Sequence, residues 1–490
     1  MTTPRTAAAA ALLTLLLGNA TTPADPLRLP DLGSPTDTLM STAEKRYLGE
    51  AFMRYVRQTV PVSDDAVLND YIESLGRQIV RASNENTGGF HFFIVEQPVV
   101  NAFAGPEGSI GIYSGLILAS ETEAELAAVV AHEIAHVSQD HLMRSFDDQR
   151  KTALPATALL IAAAVLGAQV DANVAQAAIA GVQAATVQRR INFTRANEEE
   201  ADRLGMATLA SAGFDPFAMP GFFQKLARST RVYETDAPEF LRTHPVTTSR
   251  IADALGRATQ LGARQRPDSL RYHLARANLR QRSHNRAEKA VDEFKARLAG
   301  GRYRNETAER YGYALALTRA GRVNDALGEV ERLLKTNPSQ MELQVLKADL
   351  DRRSGKPELA IRDLKGVIGL SPSSWPLHEA YAQALLAAGR PAEALRALEA
   401  VAAYHPNTAP LFSLMADVAG KAGKPGLYAR YRAEYLYLQG DLEPATRQLQ
   451  AGLRQRDLDF PTAAKLQARL EELQEELRAE KDNPWRKTRR

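Results

Sequence analysis

The chain has 490 residues, too many for one ordinary core, so roughly two to four domains are expected. Its 61 basic and 58 acidic residues leave a formal net charge of only +3, which gives no support for a nucleic-acid-binding surface. Cysteine is absent, which excludes a disulfide framework, a thiolate metal site and a lipid-modified N-terminal cysteine.

Residues 1–24 place one early cation, Arg5, before an uncharged run from Thr6 to Leu17 and small residues around Asn19, Ala20 and Ala24. That is the layout of a cleavable signal peptide, and it predicts export. Further on, Phe90-His-Phe-Phe-Ile-Val-Glu and Ser109-Ile-Gly-Ile-Tyr-Ser stand on either side of Gly105-Pro106, which predicts a small sheet. Asn101, Ala102, Phe103 and Ala104 fall inside it. An edge strand there would accept an extended substrate by strand addition, although plain sheet structure explains the same residues equally well.

Ser120 and Glu123 form a capping-box pair ahead of Leu126, Val129 and Val130, so a half-buried helix is predicted through Val137. On it, His132 and His136 are one turn apart and share a face, with Glu133 beside them. Two imidazoles so placed can meet one zinc ion, and the carboxylate is then set to take a proton from water. A zinc hydrolase needs a third protein ligand and an open fourth position. Gln139 and Leu142 occupy the places where a metzincin would carry Gly and His, and His141 is off that register, so that branch is disfavoured.

From Thr152 to Val170, and again after Asp171 to Gln188, no residue is charged. The stretch is alanine-rich and interrupted by polar residues, so a hydrophobic helical insert or lid that packs on the catalytic region or touches a membrane surface is favoured over a spanning helix. Asn197-Glu198-Glu-Glu-Ala-Asp202 then supplies acids at i and i+4, and Glu198 and Asp202 share a helical face. Thr243-His244-Pro245 and Arg250-Ile251 follow.

Together with Asn101-Ala-Phe-Ala104 and the run from Ile110 to Leu116, these segments resemble the gluzincin family that includes HtpX and the CAAX prenyl proteases, most closely its periplasmic branch that bears tetratricopeptide repeats. The resemblance covers residues 40–262. It implies that His132, His136 and Glu198 hold one zinc ion, that Glu133 is the general base, and that Asp202 orients a ligand histidine. It also implies that His244 and Arg250 lie near the open zinc position, although a surface turn before Pro245 would equally account for His244; from there either would serve as an oxyanion donor, or His244 would occupy the position and keep the site latent.

Beyond residue 265 a period emerges. Gly321, Gly355, Gly389 and Gly423 are each 34 residues apart, as are Ala314, Ala348, Ala382 and Ala416, and Pro338, Pro372 and Pro406. Small residues, a turn glycine and a late proline at this spacing resemble the tetratricopeptide repeat, an α-solenoid whose concave face binds peptides or proteins. Residues 270–300 read as a degenerate first repeat, and Glu471 to Lys481 as a solvated cap.

The expected architecture is therefore mainly α: a signal peptide (1–24), a zincin-like α+β catalytic domain with a small sheet (40–262, with the 152–188 insert) and a repeat domain (268–485). The expected function is a zinc endopeptidase of the periplasm acting on misfolded or stalled envelope proteins, with the repeats docking protein substrates or the outer-membrane assembly machinery. A chaperone or scaffold with latent proteolysis is the alternative, and a processing peptidase for prenylated or membrane-embedded substrates is a further rival.

Overall fold

The computed structural model describes residues 42–83, 89–146, 195–232, 238–456 and 458–481. The expected signal peptide and the uncharged 152–188 segment lie outside the described residues.

The first half runs α1 (Thr42–Thr59), α2 (Ala66–Ala82), β1 (His91–Val95), β2 (Ala102–Ala104), β3 (Ser109–Tyr113), α3 (Ser114–Ala119), α4 (Glu123–Ser138), α5 (His141–Phe146), α6 (Arg195–Ser211), α7 (Ala218–Val232), α8 (Glu239–Thr243) and α9 (Thr248–Leu261). Asp65 starts α2 by accepting a hydrogen bond from Leu68 N at 2.9 Å, satisfying one of the free amides of the first turn. Leu68, Ile72, Leu75 and Ile79 then recur at helical spacing and all are buried. The three strands form one sheet in the order β1-β3-β2, with β1 parallel and β2 antiparallel to β3. The sheet predicted around Gly105-Pro106 is thus present, and β2, which carries Ala102 to Ala104, is one of its two outer strands, with all three residues buried.

Two local expectations for α4 need correction. Its cap is not Ser120 with Glu123 but the pair two residues later: Thr122 Oγ1 accepts from Glu125 N at 3.2 Å, and Glu125 accepts from Glu121 N at 2.7 Å. Ser120 instead bonds back to Leu116 O and closes α3. Nor is α4 half-buried. Every residue from Leu126 to His136 is buried, because the helix is packed by α2, α6, α7 and β2 at once, so no face remains for solvent.

The second half is helical throughout: α10 (Leu270–Arg282), α11 (Ala287–Ala299), α12 (Glu306–Arg319), α13 (Val323–Thr336), α14 (Met341–Arg353), α15 (Pro357–Ile368), α16 (Trp375–Ala387), α17 (Pro391–Ala402), α18 (Ala409–Lys421), α19 (Pro425–Leu438), α20 (Leu442–Leu453) and α21 (Phe460–Lys481). The periodic glycines Gly321, Gly355, Gly389 and Gly423 sit between paired helices with φ of 75, 73, 72 and 66°, a conformation that side chains with a Cβ rarely adopt. The small residues Ala314, Ala348, Ala382 and Ala416 are buried where one helix crosses the next.

The two halves are closely joined. Tyr272, Ala275 and Leu279 of α10 enter the same apolar core as α2 and α4. The Glu123 carboxylate accepts from Ser269 N at 2.9 Å and from its hydroxyl at 2.7 Å, and the Tyr272 hydroxyl donates to Ser120 O at 2.9 Å. Helix α2 touches both α10 and α16, and α1 touches α19, so the solenoid curls around the first two helices.

Candidate metal centre

At the centre of the first half, His132, His136, Glu198 and His244 bring one donor atom each within 4.8 Å of all the others, and all four are buried. Helix α4 supplies the two imidazoles and α6 the carboxylate, while His244 caps the short α8. Gly205 makes the close approach of α6 to α4 attainable: a Cβ there would lie 3.0 Å from Ala131 O and 3.1 Å from His132 Cα. His132 Nε2 is 3.0 Å from His136 Nε2 and 3.5 Å from Glu198 Oε2, and His136 Nε2 is 3.4 Å from Glu198 Oε1. His244 Nδ1 lies 3.0 Å from Glu198 Oε1 and 3.3 Å from His132 Nε2.

These spacings fit a tetrahedral ion. With metal–ligand bonds of about 2.0–2.1 Å, the edges of a regular tetrahedron are about 3.3–3.4 Å. The buried carboxylate oxygen Glu133 Oε1 accepts no hydrogen bond among the described residues, as befits a group that faces a reacting water.

A second tier holds the ligands. Asp202 Oδ1 stands 3.1 Å from His132 Nδ1. Arg250 donates twice to Asp202, from Nε at 2.7 Å and Nη2 at 2.8 Å, and its Nη1 reaches Pro245 O and Glu198 Oε2, each at 2.8 Å. Burial works against a charged His132, but Asp202 and Glu198 outweigh it and lift its imidazole to about 10. Burial holds His136 neutral, well below the ordinary value. It would also raise Glu198, but His244 and the ligand imidazoles win and hold that carboxyl well below the usual range. Glu133 goes the other way. Burial raises it more than His244 and His132 lower it, the direction suited to a proton acceptor near neutral pH.

The sequence-predicted site residues His132, Glu133, His136, Glu198, Asp202 and His244 thus converge. Arg250 converges as well, its guanidinium on Asp202, Glu198 and the Pro245 carbonyl, so it braces the second tier and the turn that carries His244. Asn101 and Ala102 to Ala104 are buried, and β2 packs against α4. Phe240 N donates to Val100 O at 3.1 Å, which ties α8, and with it His244, to the chain entering β2. Sequence reasoning passed over His141 and Glu200, which lie behind His136. The signal was the histidine five positions after the motif, weighed only as a metzincin ligand.

Residues 66–258 match the sequence profile of peptidase family M48, and residues 352–418 that of a tetratricopeptide repeat. The beta-barrel assembly-enhancing protease of Escherichia coli is 35% identical over 328 residues, which is 67% of this chain and 67% of that one. The chain belongs to peptidase family M48. A putative beta-barrel assembly-enhancing protease of Vibrio cholerae is 43% identical over 255 residues, 52% of each chain, so the alignment spans about half of that relative's length. The mitochondrial metalloendopeptidase OMA1 of Arabidopsis thaliana is 28% identical over 220 residues, 44% of this chain and 41% of that one. M48 members are metallopeptidases, and the four-donor cluster lies within the matched residues.

Proposed function

We propose that the chain is a zinc endopeptidase of the periplasm, exported by residues 1–24, whose catalytic domain (40–262) cleaves misfolded or stalled outer-membrane proteins and whose repeat domain (268–485) docks substrates or the assembly machinery. The observation that carries this reading is the buried cluster of two imidazoles and a carboxylate at tetrahedral spacing, with Glu133 alongside. The names of the Escherichia coli and Vibrio cholerae relatives support the envelope role.

His132, His136 and Glu198 would hold the zinc, and the donor set of nitrogens with one carboxylate suits that ion. Zinc bound there supplies Lewis acidity, which acidifies water and polarises a carbonyl. Glu133, its carboxyl raised by burial, takes the proton from water and returns it to the leaving amine. Asp202, clamped by Arg250, holds His132 in the tautomer that presents Nε2. The edge strand β2 suits backbone recognition of an extended substrate along Asn101 to Ala104, with weak sequence preference.

His244 favours a latent resting site. It completes a fourth donor, and its Nε2 lies 3.6 Å from Glu133 Oε1, so it stands between the base and the other ligands, where a water would be needed. Four protein ligands mark closed sites, three an open one. His244→Ala is expected to raise basal casein cleavage; unchanged cleavage counts against latency.

The decisive comparison is metal content and casein cleavage of the chain without residues 1–24 beside its Glu133→Gln variant. About one zinc bound to both, with cleavage by the parent alone, is the expected result. Zinc without cleavage in either, persisting in His244→Ala, favours the scaffold reading; no zinc in either overturns the proposal.

A further inference from the structure

His136 is approached from behind by a second imidazole. His141 is fully buried, its Nδ1 lies 2.8 Å from His136 Nδ1, and its Nε2 lies 3.2 Å from Glu200 Oε2. The turn between α4 and α5 brings it there. Asp140 adopts a left-handed conformation with φ of 50°, which aspartate tolerates better than most residues, and its amide donates to Val137 O at 2.9 Å. The chain therefore turns at Asp140 and lays His141 against the ring five residues earlier.

A hydrogen bond between two neutral imidazoles needs a proton on one nitrogen and a lone pair on the other. An ionised carboxylate only accepts, so Glu200 draws the His141 proton to Nε2 and leaves the Nδ1 lone pair facing His136. His136 then carries its proton on Nδ1 and turns the Nε2 lone pair toward Glu198 and His132, 3.4 and 3.0 Å away. His132 reaches the same tautomer through a direct carboxylate contact, Asp202 Oδ1 at 3.1 Å from Nδ1.

We propose that His141 and Glu200 are positioning residues for the metal centre, a carboxylate–imidazole relay that fixes the tautomer and the ring plane of His136. The proposal rests on the reading of His136 as a ligand. The two arms are unequal. Asp202 is buried and clamped by Arg250, whereas a third of the Glu200 side chain is exposed and, among the described residues, the guanidinium of Arg203 is 3.8 Å away. The arm behind His136 thus ends at the surface, and a change at an outward carboxylate is transmitted to the ligand.

The test is zinc affinity of the full chain, measured by competition with a chromogenic chelator and independent of turnover. His141→Phe keeps the ring volume and removes the acceptor, and is expected to weaken zinc by about 10- to 100-fold. His141→Asn places a carbonyl oxygen near the lost Nδ1 and should recover most of that affinity. Glu200→Ala, at a partly exposed position that does not threaten the fold, should weaken zinc several-fold, and Glu200→Gln less. His136→Ala is the control for the underlying reading. If it loses zinc while His141→Phe and Glu200→Ala both bind as tightly as the parent, the relay is wrong and the ligand assignment stands. If His136→Ala itself binds zinc undiminished, the ligand assignment fails.

Discussion

Arg250 shows how much one side chain can carry in a buried polar site. It neutralises Asp202 and Glu198 together, and its contact with Pro245 O anchors the turn that presents His244. Removing one partner of a buried ion pair strands the other charges, which costs about 3–5 kcal/mol. Arg250→Met is therefore expected to lower the thermal midpoint strongly even with zinc in excess, and a melt unchanged from the parent would mean that water replaces the guanidinium. The same residue marks a limit of sequence reading. The His-Glu-x-x-His pair was legible because its chemistry depends on local helical spacing, and Glu198 with Asp202 for the same reason. What Arg250 and His141 do was not, because it is decided by which carboxylates they meet across the fold, Asp202 and Glu198 for one, Glu200 for the other.

At the level of elements, the decisive contact is α4 against α6. Gly205 sets their separation: with a Cβ only 3.0 Å from Ala131 O and 3.1 Å from His132 Cα, backbone would have to yield, since no flexible side chain is there to move aside. Gly205→Ala is expected to cost about 1–3 kcal/mol of stability and to weaken zinc by moving Glu198 away from the imidazoles; equal zinc affinity would show that α6 can shift along its axis without losing the ligand. The repeats were the most legible elements, because a turn glycine at positive φ and a buried alanine recur in four successive units. The cap and burial of α4 were less so. Thr122 lies two residues beyond Ser120 in a run with several possible caps, and enclosure by α2, α6, α7 and β2 leaves no alternation of apolar and polar residues to read.

In the whole molecule, the solenoid and the N-terminal end of α2 meet over a cavity of about 260 Å³ lined by Asp64, Asp65, Glu342, Asp349, Arg352 and Glu379, among others. Burial, aided by Asp65, Asp64 and Asp349, raises the Glu379 carboxyl from 4.5 to about 7. Between those two values the folded state holds a proton that the unfolded state has lost, so stability falls as pH rises through that window and the penalty is complete above it. Glu379→Gln is expected to raise the melting temperature at pH 8 by the equivalent of about 1–2 kcal/mol, discounted because the carboxylate is partly open to solvent, and to leave it unchanged at pH 4. No gain at pH 8 would mean that the charged form is already accommodated.

The junction on the other side of the molecule has a consequence for the order of assembly. Arg54 of α1 donates to the Tyr437 hydroxyl of α19 at 3.0 Å, with its guanidinium 5.0 Å from the centre of that ring, and it also pairs with Glu476 of α21. Arg57 reaches Leu438 O at 3.0 Å and Asn407 O at 3.1 Å. The first helix described thus takes its final partners from the last. A chain made from its N-terminus onward cannot close this junction until α19 and α21 exist, although Leu48, Phe52 and Val56 of α1 already have Phe93 and Phe103 to pack against. A chain cut short before α21 lacks the Glu476 carboxylate, and leaves Arg54 with the Tyr437 hydroxyl but without that counter-charge.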